Sequence, residues 1–163
     1  MKMSELDKQL AESHAQKEKG WGKILSHLKR QFDSWAMAEF AANGYEDFKM
    51  GYMPLLANIT PEGITNNELA RKARVTKQAM SKLVKELVSL GYVATHEHGH
   101  DKRSVEIYLT SKGKKLVISA RQKLAELEKE YEELLGKKKF EEVKEQLICI
   151  IRYHDEKSGL SCF

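Results

Sequence analysis

The sequence predicts a mainly α-helical chain that carries one small β-hairpin. Three observations predict it. Only two prolines interrupt the 163 residues, so long helices are permitted. Apolar residues recur at spacings of three and four over long stretches near both ends, which is the helix period. Near the middle, Val105, Ile107 and Leu109 alternate with Glu106 and Tyr108, which is the strand period.

Each element follows in order. Residues 1–20 are polar, end at Gly20, and read as a tail or a loose helix. Residues 21–45 hold a helix with one apolar stripe, Trp21, Leu25, Leu28, Phe32 and Trp35, and Asn43-Gly44 stops it. A short segment around Tyr52, Leu55, Leu56 and Ile59 follows, and Pro61-Glu62-Gly63 closes it as a turn. Thr65 with Glu68 three residues on is a capping box, and it opens a short helix ending at residue 72 or 73. Arg74-Val75 makes a tight turn. Thr76 caps a longer helix over residues 77–90, and Gly91 stops it.

In that longer helix Met80, Leu83, Val84, Leu87 and Leu90 form the stripe expected to be buried. Gln78, Ser81, Lys82 and Lys85 form the opposite stripe, with Lys77 at its leading edge. Two short helices joined by a tight turn are a helix-turn-helix. Residues 92–97 and the Val105 strand make a hairpin around a polar loop, His98-Gly99-His100-Asp101-Lys102-Arg103. Thr110 or Ser111 then caps another helix. Helix, helix, hairpin and helix in this order spell a winged helix-turn-helix with a two- to three-stranded wing sheet, over residues 46–115.

Residues 116–157 read as two helices broken at Gly136, with residues 158–163 as a tail. The first carries Val117, Ala120, Leu124, Leu127, Tyr131 and Leu134, and the second Phe140, Val143, Leu147, Ile150 and His154. These stripes, with that of residues 21–35, exceed what a winged module of roughly 70 residues covers. Apolar stripes in excess mean a partner, and a homodimer is the economical one. An intramolecular bundle is the other solution.

Charge is uneven. The chain carries 28 Lys/Arg and 24 Asp/Glu, a net +4. Residues 65–115 hold 11 Lys/Arg against 5 Asp/Glu, so that stretch is +6 and the rest is −2. A basic centre in a near-neutral scaffold fits a polyanion-binding surface. No run of about 18 apolar residues exists to span a membrane. The N-terminus lacks the apolar core of a signal peptide, and two cysteines make no disulfide framework. The expected location is the cytoplasm, without a membrane partner.

The block TNNELARKARVTKQAMSKLVKELVSLGYVATHEHGHDKRSVEIYLTSKGKKL resembles the MarR family of bacterial transcription regulators. ELA lies in the first helix of the motif, VTKQAMSKLVKELVSLGY fills the recognition helix and its exit, and DKRSVEIYLTSKG fills the returning wing strand and the next helix start. The likeness extends over roughly residues 21–157. It implies a homodimer whose N- and C-terminal helices dimerise. It also implies recognition helices in the DNA major groove, wings at the minor groove, and release by small, often aromatic, ligands near the junction of dimer and DNA-binding regions. The wing departs from the family pattern Asp-x-Arg-Asp-x-Arg. Asp101 and Arg103 match its second half, but His98 and His100 stand where an acid and the groove-entering arginine are expected.

The expected DNA-binding residues are therefore Asn66, Thr76, Lys77, Gln78, Ser81, Lys82, Lys85, His100, Asp101, Lys102 and Arg103. Gln78 and Lys82 suit base edges, because Gln pairs with adenine and Lys with guanine. Lys77, Ser81 and Lys85 suit phosphates, which position rather than specify. The expected partner is double-stranded DNA with a pseudo-palindromic operator. Phe32, Trp35, Tyr45, Phe48 and Tyr52 are either core or the lining of a pocket for a small aromatic effector.

Other readings stay open. His96, His98 and His100 alternate, and imidazoles on one side of a strand suit a transition metal; a polar wing tip is the plainer account. Cys149 lies in an apolar rhythm and reads as a small hydrophobe, and Cys162 lies in the tail. A winged-helix module that binds protein rather than DNA is the alternative from another class. No phosphate loop, zinc-protease helix or nucleophile elbow is present, so neither an enzyme nor a cofactor is expected.

Overall fold

The computed structural model describes residues 4–15, 20–97 and 105–159. Helix α1 (Glu5–Ala15) is followed by α2 (Trp21–Ala42), a 3₁₀ turn (Met50–Tyr52), α3 (Met53–Leu56) and strand β1 (Ile64–Thr65). Then come α4 (Asn66–Lys72), α5 (Lys77–Ser89), β2 (Val93–Glu97), β3 (Val105–Leu109), α6 (Ser111–Leu135) and α7 (Lys137–Ser158). The chain is thus mainly helical with one antiparallel sheet in the order β1-β3-β2. Among the described residues no helix is long and apolar enough to cross a membrane.

The chain forms two compact units, residues 1–117 and 118–163. The core of the first is built around Phe48. Its ring meets Phe40 at 4.9 Å, Tyr52 at 5.5 Å and Tyr92 at 5.6 Å, all edge to face. Edge-to-face packing suits the charge distribution of aromatic rings. Leu55, Leu56, Leu69, Met80, Leu87, Ile107 and Leu116 complete this core. In the second unit Phe140 and Leu127 are buried, Tyr131 meets Phe140 at 5.8 Å, and Lys144 bridges to Glu128 and Glu141.

Caps explain where the helices begin. Ser4 and Asp7 cap α1 reciprocally: the Asp7 N–H donates to Ser4 Oγ at 3.1 Å, and the Ser4 N–H donates to Asp7 Oδ2 at 3.0 Å. Thr65 Oγ1 accepts from the Glu68 N–H, Thr76 Oγ1 from the Ala79 N–H, and Thr110 Oγ1 from the Gly113 N–H. Gly113 lies so close to Tyr92 that a Cβ there would sit 2.1 Å from the Tyr92 carbonyl oxygen. Gly63, at φ +89°, lies under the Tyr108 ring.

The sheet has three strands, within the two to three expected, and its third strand β1 pairs Ile64 with Ile107. Side-chain burial differs in part from expectation. On α5 Met80, Val84 and Leu87 are buried, while Leu83 and Leu90 are half-buried. The stripes on the flanking helices are covered only in part. Trp21, Leu25 and Leu28 are exposed on α2, while Phe32 and Trp35 are half-buried. Leu134 is 77% exposed, and Leu124, Val143 and Ile150 are exposed as well. Cys149, expected to pack as a small hydrophobe, is exposed on α7. Cys162 lies outside the described residues.

Candidate nucleic-acid interface

The site is the outward face of α5. Its inward face is anchored by Met80 and Leu87, both fully buried, and by Val84. A helix with one face buried at every turn cannot rotate about its axis, so the opposite face has a fixed direction. Lys77, Gln78, Ser81, Lys82 and Lys85 line a shallow groove of about 360 Å³ on that face. Lys77, Gln78, Lys82 and Lys85 are exposed, and Ser81 is half-buried. Four long polar side chains and one short hydroxyl, with no acid among them, suit a polyanion.

Local structure aims this face. The turn between α4 and α5 contains Arg74 at φ 54°, a left-handed conformation uncommon outside glycine and asparagine. It brings α5 back across α4. Thr76 then caps α5 and ties up the Ala79 N–H. At the other end Lys49 Nζ donates to Glu86 Oε1 at 2.6 Å, and this neighbour holds the Glu86 carboxyl below its ordinary range. Glu86 is therefore spent on Lys49, though it shares the helix with the basic face.

Asn66, the first residue of α4, does not stand apart from α5. Its Nδ2 donates to Ser81 Oγ at 3.1 Å, and both residues are half-buried. Beside this link lies a second groove of about 720 Å³ between α5 and the sheet, lined in part by Asn66, Ser81, Val84, Lys85, Thr95 and Ile107. A second link fastens the base of the module. Asp47 accepts from Tyr92 Oη at 2.5 Å and from Lys112 Nζ at 3.0 Å, and Lys112 also lies 4.1 Å over the Tyr92 ring. The Tyr92 hydrogen bond holds the Asp47 carboxyl below its ordinary range, with Lys112 adding to it. Burial first, then Asp47, pushes the Tyr92 phenol up.

The expected site residues thus fall into four groups. Lys77, Gln78, Ser81, Lys82 and Lys85 are brought together, Thr76 stands at the head of the same helix, and Asn66 touches it through Ser81. His100, Asp101, Lys102 and Arg103 lie outside the described residues, as does His98. His96 is exposed on β2, opposite Glu106 in register and 5.4 Å from the Tyr108 ring. Of the aromatic set, Phe48 and Tyr52 are buried in the core, Tyr45 lies 6.3 Å from Tyr92, and Phe32 and Trp35 pair with each other at 5.6 Å on α2. The Lys49–Glu86 and Asn66–Ser81 links escape sequence reading because their partners are 37 and 15 residues apart.

A three-stranded sheet, a capped basic helix and a short helix laid across it define a winged helix-turn-helix module. Residues 48–104 match the family model described as MarR family. Over 75 residues it is 33% identical to the HTH-type transcriptional repressor YetL of Bacillus subtilis (strain 168). That alignment covers 46% of this chain and 45% of the relative, so the chain spans less than half the length of the curated relative it matches. The fold extends further. A MarR transcriptional regulator from Methanosarcina mazei Go1 superposes with a TM-score of 0.67 at 24% identity, covering 83% of this chain and 96% of the other. The S. aureus MepR–DNA complex gives a TM-score of 0.66 at 20% identity, covering 83% and 99%.

Proposed function

We propose that this protein is a homodimeric, sequence-specific DNA-binding transcriptional regulator, acting as a repressor and modulated by a small aromatic ligand. The observation that carries the reading is the outward face of α5. A rigidly held helix presents Lys77, Gln78, Ser81, Lys82 and Lys85 together and keeps its nearest acid, Glu86, paired with Lys49. A major groove admits such a helix, and base edges there are distinguishable by hydrogen bonding. The repressor assignment rests on the likeness to YetL.

The dimer is supported by apolar side chains left exposed on α2, α6 and α7, among them Trp21, Leu28, Leu134 and Ile150. Two recognition helices held by one dimer fit DNA only when they stand about one helical turn, roughly 34 Å, apart. A ligand that binds another spacing better draws the population away from DNA. Phe32, Trp35 and Tyr45 are half-buried and are the side chains on which such a ligand would act.

The test is affinity selection of fragments of the organism's own genome by the purified protein at two salt concentrations. A pseudo-palindrome with half-sites about 10 bp apart is the expected result. Recovery of random fragments only, lost steeply as salt rises, would mean charge without readout and would overturn the operator reading.

A further inference from the structure

Glu86 is the one acid in α5, a helix whose outward face is basic. Residues four apart on a helix are neighbours, so Lys82 stands one turn before Glu86. That spacing offers the carboxylate a partner on its own helix. The structure pairs it with Lys49 instead: Lys49 Nζ, from the segment before the 3₁₀ turn, donates to Glu86 Oε1 at 2.6 Å. The Lys49 hydrogen bond lowers the Glu86 carboxyl most, and Lys82 pulls on it only through its charge. Tyr52 also lies beside this carboxylate, but burial and then Glu86 push its phenol up, so it stays neutral and cancels no charge. Among the described residues no carboxylate is bonded to Lys82, which is exposed on the groove. We propose that Lys49 is a positioning residue for DNA binding: by holding Glu86 it keeps Lys82 free of its own helix and available to DNA.

The inference rests on the DNA-binding reading above and adds to it a residue outside the recognition helix. It holds whether Lys82 meets a base edge or a phosphate, since an ammonium paired with Glu86 is withdrawn from both. The Lys49 and Glu86 side chains are both partly exposed, and an exposed pair contributes little to folding. Its consequence for DNA binding is separate. With Lys49 absent, Glu86 turns to Lys82, and DNA has to draw Lys82 away and leave the carboxylate unpaired beside phosphates. The cost is that of one exposed ion pair, about 2- to 5-fold in affinity at low salt. It shrinks as added salt screens the charges.

The experiment is titration of the full chain and its variants onto the genomic fragment selected above, at two salt concentrations. Lys49→Met is expected to bind about 2- to 5-fold more weakly at low salt, with a smaller loss at high salt. Lys49→Arg keeps the pair and the affinity. Glu86→Gln has no charge with which to draw Lys82, so the double variant Lys49→Met/Glu86→Gln regains what Lys49→Met loses. In a Lys82→Ala background Lys49→Met costs nothing further. A role confined to folding would not be rescued in this way, because the double variant lacks the pair altogether. An unchanged affinity in Lys49→Met would overturn the inference and leave the DNA reading standing. So would an equal loss in the Glu86→Gln background, which would make Lys49 itself a DNA contact. A loss that persists with Lys82 absent would overturn it too, since Glu86 would then repel DNA without acting through Lys82. A wild type that selects no fragment at all would overturn the DNA reading, and the inference with it.

Discussion

The winged module and the long helices treat their apolar side chains differently. Between residues 48 and 117 the large apolar side chains that stay exposed among the described residues are Val75 and Val88, and Val88 lines the groove beside α5. On α2 the exposed set is Trp21, Ile24, Leu25 and Leu28, and on α6 and α7 it includes Ile118, Leu134, Leu135, Ile150, Ile151 and Tyr153. The same kind of apolar rhythm closes a core in one region and leaves surface in the other. The module thus covers its own apolar side chains, while the long helices leave theirs exposed, as the proposed dimer requires. Large exposed apolar patches are uncommon on monomers.

Substitutions at two glycines give the largest contrast between these regions. A Cβ at Gly113 would sit 2.1 Å from the Tyr92 carbonyl oxygen, a backbone atom that cannot swing aside. Gly113→Ala is expected to cost roughly 3 kcal/mol or more, the upper range for forcing atoms into a packed site. On thermal melting this should appear as a fall of ten degrees or so. Gly22, in α2, has nothing within 4 Å of a built Cβ. Gly22→Ala is expected to leave the melt unchanged or raise stability by up to about 0.5–1 kcal/mol through helix propensity. A loss at Gly22 would instead show that another surface presses on α2 there.

Leu28→Lys tests the second region directly. Leu28 is half exposed in the single chain, so a lysine there should leave the module folded. If the α2 stripe meets a second copy, the same change buries a charge in an apolar contact. The dimer should then weaken by about 2 kcal/mol or more, roughly 30-fold in dissociation constant. Sedimentation across a dilution series reads this. A variant that sediments as the wild type does would place the dimer contact elsewhere.

The two regions also differ in how far the sequence reveals them. The start and stop of α5 are local facts: Thr76 bonds three residues ahead, and Gly91 adopts φ 75° at the exit. Local chemistry of this kind is written in neighbouring letters. Strand β1 is two residues long, too short for any alternation to show, and exists because Ile107 pairs with Ile64. The Asn66–Ser81 link joins two helices through a turn whose geometry no periodicity encodes. The exposure of Leu134 and Cys149 is of another kind. A spacing of three and four marks one face of a helix, but does not say whether that face meets the same chain, a second copy or water.

Lys82→Ala is the next smaller effect. Lys82 is exposed on the basic groove, and lysine suits the acceptor edge of guanine. If it reads a base, operator binding should fall about tenfold while binding to random DNA falls less. Equal losses on both, with the salt slope reduced by about one, would reassign it to a phosphate. Titrations at two salt concentrations separate these outcomes. The fold should be unaffected, because the side chain is exposed and its helix is held from the other face.

The smallest expected effect concerns what fastens the module rather than what it reads. Asp47 is about two fifths exposed, yet it takes hydrogen bonds from both Tyr92 and Lys112. The Tyr92 bond, and Lys112 after it, hold its carboxyl below the ordinary range. A carboxyl lowered on folding stabilises the native state once pH exceeds its unfolded value, near 4. That contribution is lost as pH falls through the folded value, because protonation removes the negative charge that strengthens the Tyr92 bond to Oδ1 and the Lys112 bond to Oδ2. Asp47→Asn keeps the shape but not the charge. Its melting temperature at pH 7 should drop by a few degrees, on the order of 1 kcal/mol given the solvent around the pair. The gap between variant and wild type should then close as pH is lowered below about 4. A gap that persists at low pH would mean Asp47 acts through packing rather than charge. The module's self-sufficiency would then rest on the Phe48 core alone, and Lys112→Met, which keeps the contact with the Tyr92 ring, should be neutral at every pH.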